Sequence, residues 1–164
     1  FIEEITANEL LELTMGGRVI GKRGYPTLAQ RMHLAIYDTR KDIRAIVHCR
    51  APMTTVLGIC QLPIPPITVD AVPFADLPRI PSHLLLQQQW PYEVAAQLAG
   101  GAPAAILLNE GIVTVGLDLQ QAVRRAIALE ETARILVLCH LLHQTPSVLP
   151  PEAIEILRTS SPVG

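Results

Sequence analysis

Three short apolar runs stand out along the chain: Ile43–His48, Ala104–Leu108 and Ile112–Val115. Runs of four to six residues rich in valine and isoleucine predict buried strands, because β-branched side chains pack well on a pleated surface. The last two flank Asn109-Glu110-Gly111, which predicts a hairpin with a tight polar turn. Helical spacing dominates elsewhere. Thr27 is a good N-cap, and Ala29, Met32, His33, Ile36 and Tyr37 recur at helical intervals until polar Asp38–Lys41 ends the element. Ala51-Pro52 breaks the first strand and opens a helix over Met53–Gly58. Ser82 or His83 starts another through Leu98, with Pro91 interrupting or dividing it and Gly100-Gly101 stopping it. Asp118 caps the longest helix, Leu119 to about His143, with Gln121 at capping-box spacing. Pro150-Pro151 start a last helix to about Arg158.

Weaker signals fill the gaps. Thr6-Ala7-Asn8-Glu9 has capping-box spacing and predicts a short helix through Leu13, followed by Gly16-Gly17 and a short strand at Arg18-Val19-Ile20. The proline-rich segment Leu62–Pro73 reads as extended chain with an edge strand near Ile67–Val69. Strands and helices are mixed without regular βαβ alternation, which predicts an α/β or α+β layered domain.

Composition narrows the function classes. A chain of 164 residues suits one domain with a full core. Apolar residues make up 49% and charged residues 17%, so much surface is expected to be buried, in a core or against other subunits. The net charge is -2 and no basic run exists, which argues against nucleic acid and anionic membranes as partners. No apolar run reaches membrane-spanning length and no signal peptide is visible. Cys49, Cys60 and Cys139 are scattered without C-x-x-C spacing, the pattern of reduced thiols in a cytoplasmic protein.

The chemistry concentrates at the end of the first strand. His48 and Arg50 are two positions apart, so they share a strand face, with Cys49 on the other. His33 sits on the apolar face of its helix and reads as a hydrogen-bonded packing residue. His140 and His143, at the end of the long helix, favour its dipole. Tyr37 and Tyr92 read as packing residues. The Glu130-Glu131 pair reads as a solvated helix face or a subunit contact.

Four stretches carry a resemblance to one family. They are Pro26-Thr27-Leu28-Ala29 with His33-Leu34-Ala35-Ile36-Tyr37, Asp42–His48, Leu107-Leu108-Asn109-Glu110-Gly111, and Gly116–Ala122 continued by Leu129–Ala133. Their order over about residues 5–160 resembles the class II aldolase/adducin family. It includes fuculose-phosphate aldolase, ribulose-phosphate 4-epimerase and the adducin head. The resemblance implies one domain over residues 1–164, a three-layer α/β/α fold with a central, mostly antiparallel sheet. It also implies a homo-oligomer, a tetramer in the family's enzymes. Nothing before Thr6 resembles the family's N-terminal Gly-Asn-Ser loop, so that portion is expected to be absent from this chain.

In the family's enzymes three histidines hold a divalent metal, usually zinc, that polarises the substrate carbonyl. A glutamate moves the proton and two serines help bind phosphate. By resemblance, His48 keeps the first histidine, Arg50 replaces the second and Glu110 the third. Ala29 replaces the glutamate, and Thr27 and Leu28 replace the serines. Arginine has no lone pair for a metal and alanine moves no proton. The expectation is a binding or assembly domain that has lost metal-dependent aldolase activity and needs no cofactor. Arg50 is expected to pair with Glu110 in place of the metal, with His48 hydrogen-bonding beside them. The alternative is an active lyase, aldolase- or epimerase-like, on a small sugar phosphate or keto acid. His48, Arg50 and Glu110 would then be catalytic, and Thr27 and Arg50 would hold the anionic substrate. If zinc binds after all, His48 and Glu110 are its ligands.

Overall fold

The computed structural model describes residues 5–21, 23–81 and 87–160. Its elements are β1 (Glu12–Leu13), β2 (Val19–Ile20), α1 (Gln30–Thr39), β3 (Ala45–Cys49), α2 (Pro52–Ile59), β4 (Arg79–Ile80), α3 (Trp90–Leu98), β5 (Ala104–Leu107), β6 (Gly111–Gly116), α4 (Leu119–Leu141) and α5 (Pro151–Ser160). The main sheet has the order β3-β6-β5-β4. Its β3–β6 and β6–β5 pairs are antiparallel and β5–β4 is parallel. β1 and β2 form a separate antiparallel ribbon.

The strand alternation sorts the core into two layers. Ile46, Ala105, Leu107, Val113 and Val115 face one side, where Met32 and Ile36 of α1 and Trp90, Val94 and Leu98 of α3 cover them. Ala104, Ile106 and Ile112 face the other, against Leu57 of α2, Phe74, and Leu129, Ala133 and Leu136 of α4. The result is the three-layer α/β/α arrangement with a mostly antiparallel sheet. β5 and β6 are buried at every residue, which is why they read as unbroken apolar runs. Among the described residues no helix is long and apolar enough to cross a membrane.

Polar ties lock the layers. Asp118 accepts from the Gln121 N–H at 2.6 Å while the Gln121 side chain accepts from the Leu117 N–H at 2.8 Å, a reciprocal cap on α4. Arg40 makes a two-point bond to Asp42 at 2.7 and 2.8 Å. It also donates to the carbonyls of Leu98 and Ala102, closing the C-terminal end of α3. Glu130 of α4 accepts from the N–H groups of Met53 and Thr54 at 2.9 Å and from the Thr54 hydroxyl at 2.8 Å. A carboxylate thus sits on the N-terminus of α2, where free N–H groups and the helix dipole favour negative charge. Glu130 is therefore a structural tie and not part of a solvated face.

Several sequence expectations differ from the structure. Thr6–Leu13 is a 3-10 turn over Ala7–Glu9 followed by β1. A single helical turn is marginal alone, and pairing with Val19–Ile20 occupies the backbone of Glu12–Leu13. α1 begins at Gln30, after a turn in which Thr27 accepts from the Gln30 N–H at 3.1 Å. Ile67–Val69 is no strand. Thr68 is extended and Val69–Phe74 coil into a 3-10 helix that buries Ala71, Val72 and Phe74. Pro91 opens α3 in its first turn, where a missing N–H costs nothing, while the helix start expected at Ser82 or His83 lies outside the described residues. β4 escaped the pattern because two residues, one of them arginine, carry no periodicity.

The Glu130 tie has a measurable weight. Glu130→Ala is expected to destabilise the fold by about 2 kcal/mol in urea unfolding, since it strips the cap from α2 and leaves partly buried N–H groups unmet. Glu93→Ala, on the exposed face of α3, is expected to stay within about 0.5 kcal/mol.

Candidate functional site

On β3, Val47 and Cys49 pack toward the α2/α4 layer, so Ile46 and His48 face α1. The β3–β6 register sets Cys49 opposite Ile112, which brings Gly111 to the end of β3. A Cβ on Gly111 would collide with the Cys49 carbonyl oxygen and lie 3.1 Å from the Arg50 Cα. Only glycine lets the strands approach this closely. The residue before it, Glu110, belongs to the three-residue loop between Leu107 and Gly111, which turns through Asn109 at φ 66°. Asparagine tolerates that left-handed conformation.

The loop delivers the Glu110 carboxylate to His48. His48 Nε2 and Glu110 Oε1 are 3.4 Å apart, with the side chains 17% and 28% exposed. The second carboxylate oxygen, Glu110 Oε2, is buried without a hydrogen-bond partner. α1 supplies a third member, His33. Its ring stands edge-on to His48 with centroids 6.2 Å apart, and its Nε2 is likewise buried without a partner. Burial, assisted by the neighbouring His48, holds the His33 pKa down to about 4. Burial lowers the His48 pKa too; Glu110 opposes that shift and Arg50 adds to it. Both imidazoles are thus neutral at neutral pH, beside a carboxylate that has one oxygen to spare.

Arg50 lies just past β3 and is exposed. Among the described residues the close contact of Glu110 is with the neutral imidazole of His48 and no Arg50–Glu110 ion pair is present, so the expected Arg50–Glu110 fork does not form. Arg50 points its charge to solvent, where no desolvation cost is met. Thr27 is exposed and accepts from the Ala29 N–H at 3.4 Å, holding the turn before α1. The sequence predicts His33 as a hydrogen-bonded packing residue. Its burial agrees, but its position beside His48 depends on how α1 crosses the sheet, which periodicity does not carry. His140 Nδ1 lies 2.7 Å from the Leu136 carbonyl on its own helix, away from this cluster.

Comparison with known proteins gives a consistent set of relatives. The family model "Class II Aldolase and Adducin N-terminal domain" matches residues 1–137. The L-fuculose phosphate aldolase of Methanocaldococcus jannaschii is 30% identical over 132 residues, covering 80% of this chain and 70% of that protein. The alpha-adducin of Mus musculus is 26% identical over 125 residues, covering 73% of this chain and 17% of that protein. The solved structure of an L-fuculose 1-phosphate aldolase superimposes with a TM-score of 0.81 at 26% identity, over 96% of this chain and 74% of that one.

The buried histidine makes stability pH-dependent. An unfolded histidine titrates near 6.5 and folded His33 near 4, so the unfolded chain binds more protons between those values and stability falls as pH drops through that window. His33→Leu is expected to remove about 2 kcal/mol of the stability that the wild type loses in urea unfolding between about pH 7 and about pH 4.5.

Proposed function

The chain belongs to the class II aldolase and adducin family, and from that membership we propose that its pocket no longer runs the metal-assisted aldol reaction but binds a small anion, in a domain used for binding or assembly. One observation carries the reading: Glu110, which by resemblance replaces the family's third histidine, is turned onto His48 at 3.4 Å, while Arg50, which by resemblance replaces the second, is an exposed cation. The donor set does not fit zinc. A catalytic zinc needs about three protein ligands; His48 and Glu110 supply one imidazole and one carboxylate, and His33, though edge-on to His48, does not complete a three-ligand cluster with them. Among the described residues no three His, Cys, Asp or Glu side chains are gathered as a metal site requires.

Arg50 suits phosphate or carboxylate, whose oxygens match the guanidinium fork. Thr27, exposed ahead of α1, stands where the family's phosphate-binding serines lie by resemblance. A second reading is favoured by the partnerless oxygen of Glu110: a half-buried carboxylate with one unmet oxygen beside a neutral histidine is equipped to accept and return a proton. In that reading the chain is a lyase or epimerase acting on a small sugar phosphate or keto acid, with His48 and Glu110 as the acid/base pair and Arg50 holding the anion. A homo-oligomer, a tetramer after the family's enzymes, and a place in the cytoplasm complete the proposal; both rest on the family resemblance and composition.

Elemental analysis and calorimetry test it together. Untagged protein equilibrated with zinc is expected to carry no stoichiometric metal, and inorganic phosphate or pyruvate is expected to bind with affinity reduced about tenfold or more in Arg50→Ala. One zinc per chain, lost in His48→Ala, would restore the aldolase chemistry. Zinc-free protein that binds neither anion would leave assembly alone.

A further inference from the structure

On the sheet face opposite His48 lies a cavity of about 530 Å³, between the end of α2, the 3-10 helix Val69–Phe74 and the strands β4 and β5. Buried Ile64, Phe74 and Ile106 and half-buried Leu77 and Leu108 wall it. Pockets that enclose small ligands run from about 300 to about 1,000 Å³, are mostly apolar, and orient the ligand with a few polar groups. Among the described residues the polar side chains of this lining are Arg79 and Gln61.

Arg79 stands on the edge strand β4, where alternation turns Ile80 to the α1 and α3 side and Arg79 to the α2 side. It donates to the carbonyls of Leu57 and Leu62 at the end of α2. These bonds fix the guanidinium, since a helix C-terminus favours a cation. They do not neutralise it. The carbonyls bring only partial charge, and among the described residues no carboxylate pairs with Arg79. Asp76, the acidic residue nearest in sequence, is 93% exposed and lies 3.9 Å from Arg158. A half-buried guanidinium with N–H groups to spare, set in an apolar wall, is matched by a carboxylate.

Gln61 adds an independent observation. At the end of α2 the Gln61 N–H donates to the Gly58 carbonyl at 3.1 Å and the Leu62 N–H to the Leu57 carbonyl at 2.9 Å, the paired bonds of a Schellman cap. The left-handed position of that cap usually holds glycine, because a Cβ is unfavourable there. Here it holds Gln61, at φ 54°. A side chain is kept where local stability favours none, and that side chain lines the cavity. Its amide can donate to one carboxylate oxygen while Arg79 takes the other.

We infer that this cavity binds a small monocarboxylate with an apolar tail. Arg79 and Gln61 hold the carboxylate, and Phe74, Ile106 and Leu108 enclose the tail. A phosphate has no tail for these walls, and a sugar would leave its hydroxyls unmet against them. The site lies across the sheet from His48, so the inference is independent of the reading of that pocket.

Octanoate is the probe. Calorimetry on the full chain is expected to give one saturable site with a Kd below about 1 mM. Octanamide, which keeps the tail and loses the charge, is expected to bind about tenfold more weakly. In Arg79→Met the two probes are expected to bind alike. The octanamide comparison is made in the wild type, so it stands even where Arg79→Met, which also strips the bonds to α2, fails to fold. Gln61→Gly is expected to raise the urea midpoint, because glycine relieves the left-handed cap, and yet to weaken octanoate about threefold or more. A merely structural glutamine would not give that split. In methyl NMR, octanoate is expected to shift Ile106 and Leu108 and to leave Ile36, on the α1 side of the sheet, unmoved. No saturable octanoate binding, equal affinity for octanamide, unchanged affinity in Gln61→Gly, or shifts at Ile36 in place of Ile106 and Leu108 would each overturn the inference.

Discussion

The geometry of this molecule's polar site depends on how closely β6 can begin against the end of β3. Gly111 sits where a Cβ would strike the Cys49 carbonyl and crowd the Arg50 backbone. The missing side chain lets the β3–β6 ladder run to Cys49, and the three-residue loop then places Glu110 beside His48 without further choice. A larger residue would push the strands apart or shift the register, and a slip of one residue would turn the alternating side chains to the opposite face. Asn109, in its left-handed conformation, closes the loop within the same constraint.

The second condition is burial. His33 and His48 occupy the α1 side of the sheet, where apolar packing makes their charged forms unfavourable. A carboxylate brought into that environment seeks a partner, and the nearest is the imidazole of His48, not the guanidinium of Arg50 beyond the strand. The acidic residue is thereby accommodated by a neighbour already held in place. Arg50 keeps its charge at the surface, where it is available to an anion. The opposite side of the sheet solves a different problem, since Glu130 spends its charge on the N-terminus of α2 and ties α4 to it.

The parts of the fold readable from sequence were those with a strong period or a capping signal. β3, β5 and β6 are short apolar runs buried in the sheet, and α4 has a reciprocal cap and a long apolar stripe. Glu9 does bond the Thr6 N–H at 2.8 Å, yet that local signal supports only one tight turn because the next residues pair as a ribbon. Ile67–Val69 carry β-branched side chains but bury the turn that follows them through a 3-10 helix. At the site, formal charge suggested that Arg50 would meet Glu110. The closeness of His48 to Glu110 follows from strand register and burial, which no pairwise reading of residue types contains. His33 was visible only as a core position, because its meeting with His48 is set by tertiary packing.

The central claim is that Glu110 and His48 form an interacting pair. An NMR titration of His48 in the wild type and in Glu110→Gln tests it most directly. Removing the carboxylate takes away the influence that raises the His48 pKa against burial, so the pKa is expected to fall further in Glu110→Gln. An unchanged His48 titration would contradict the pair.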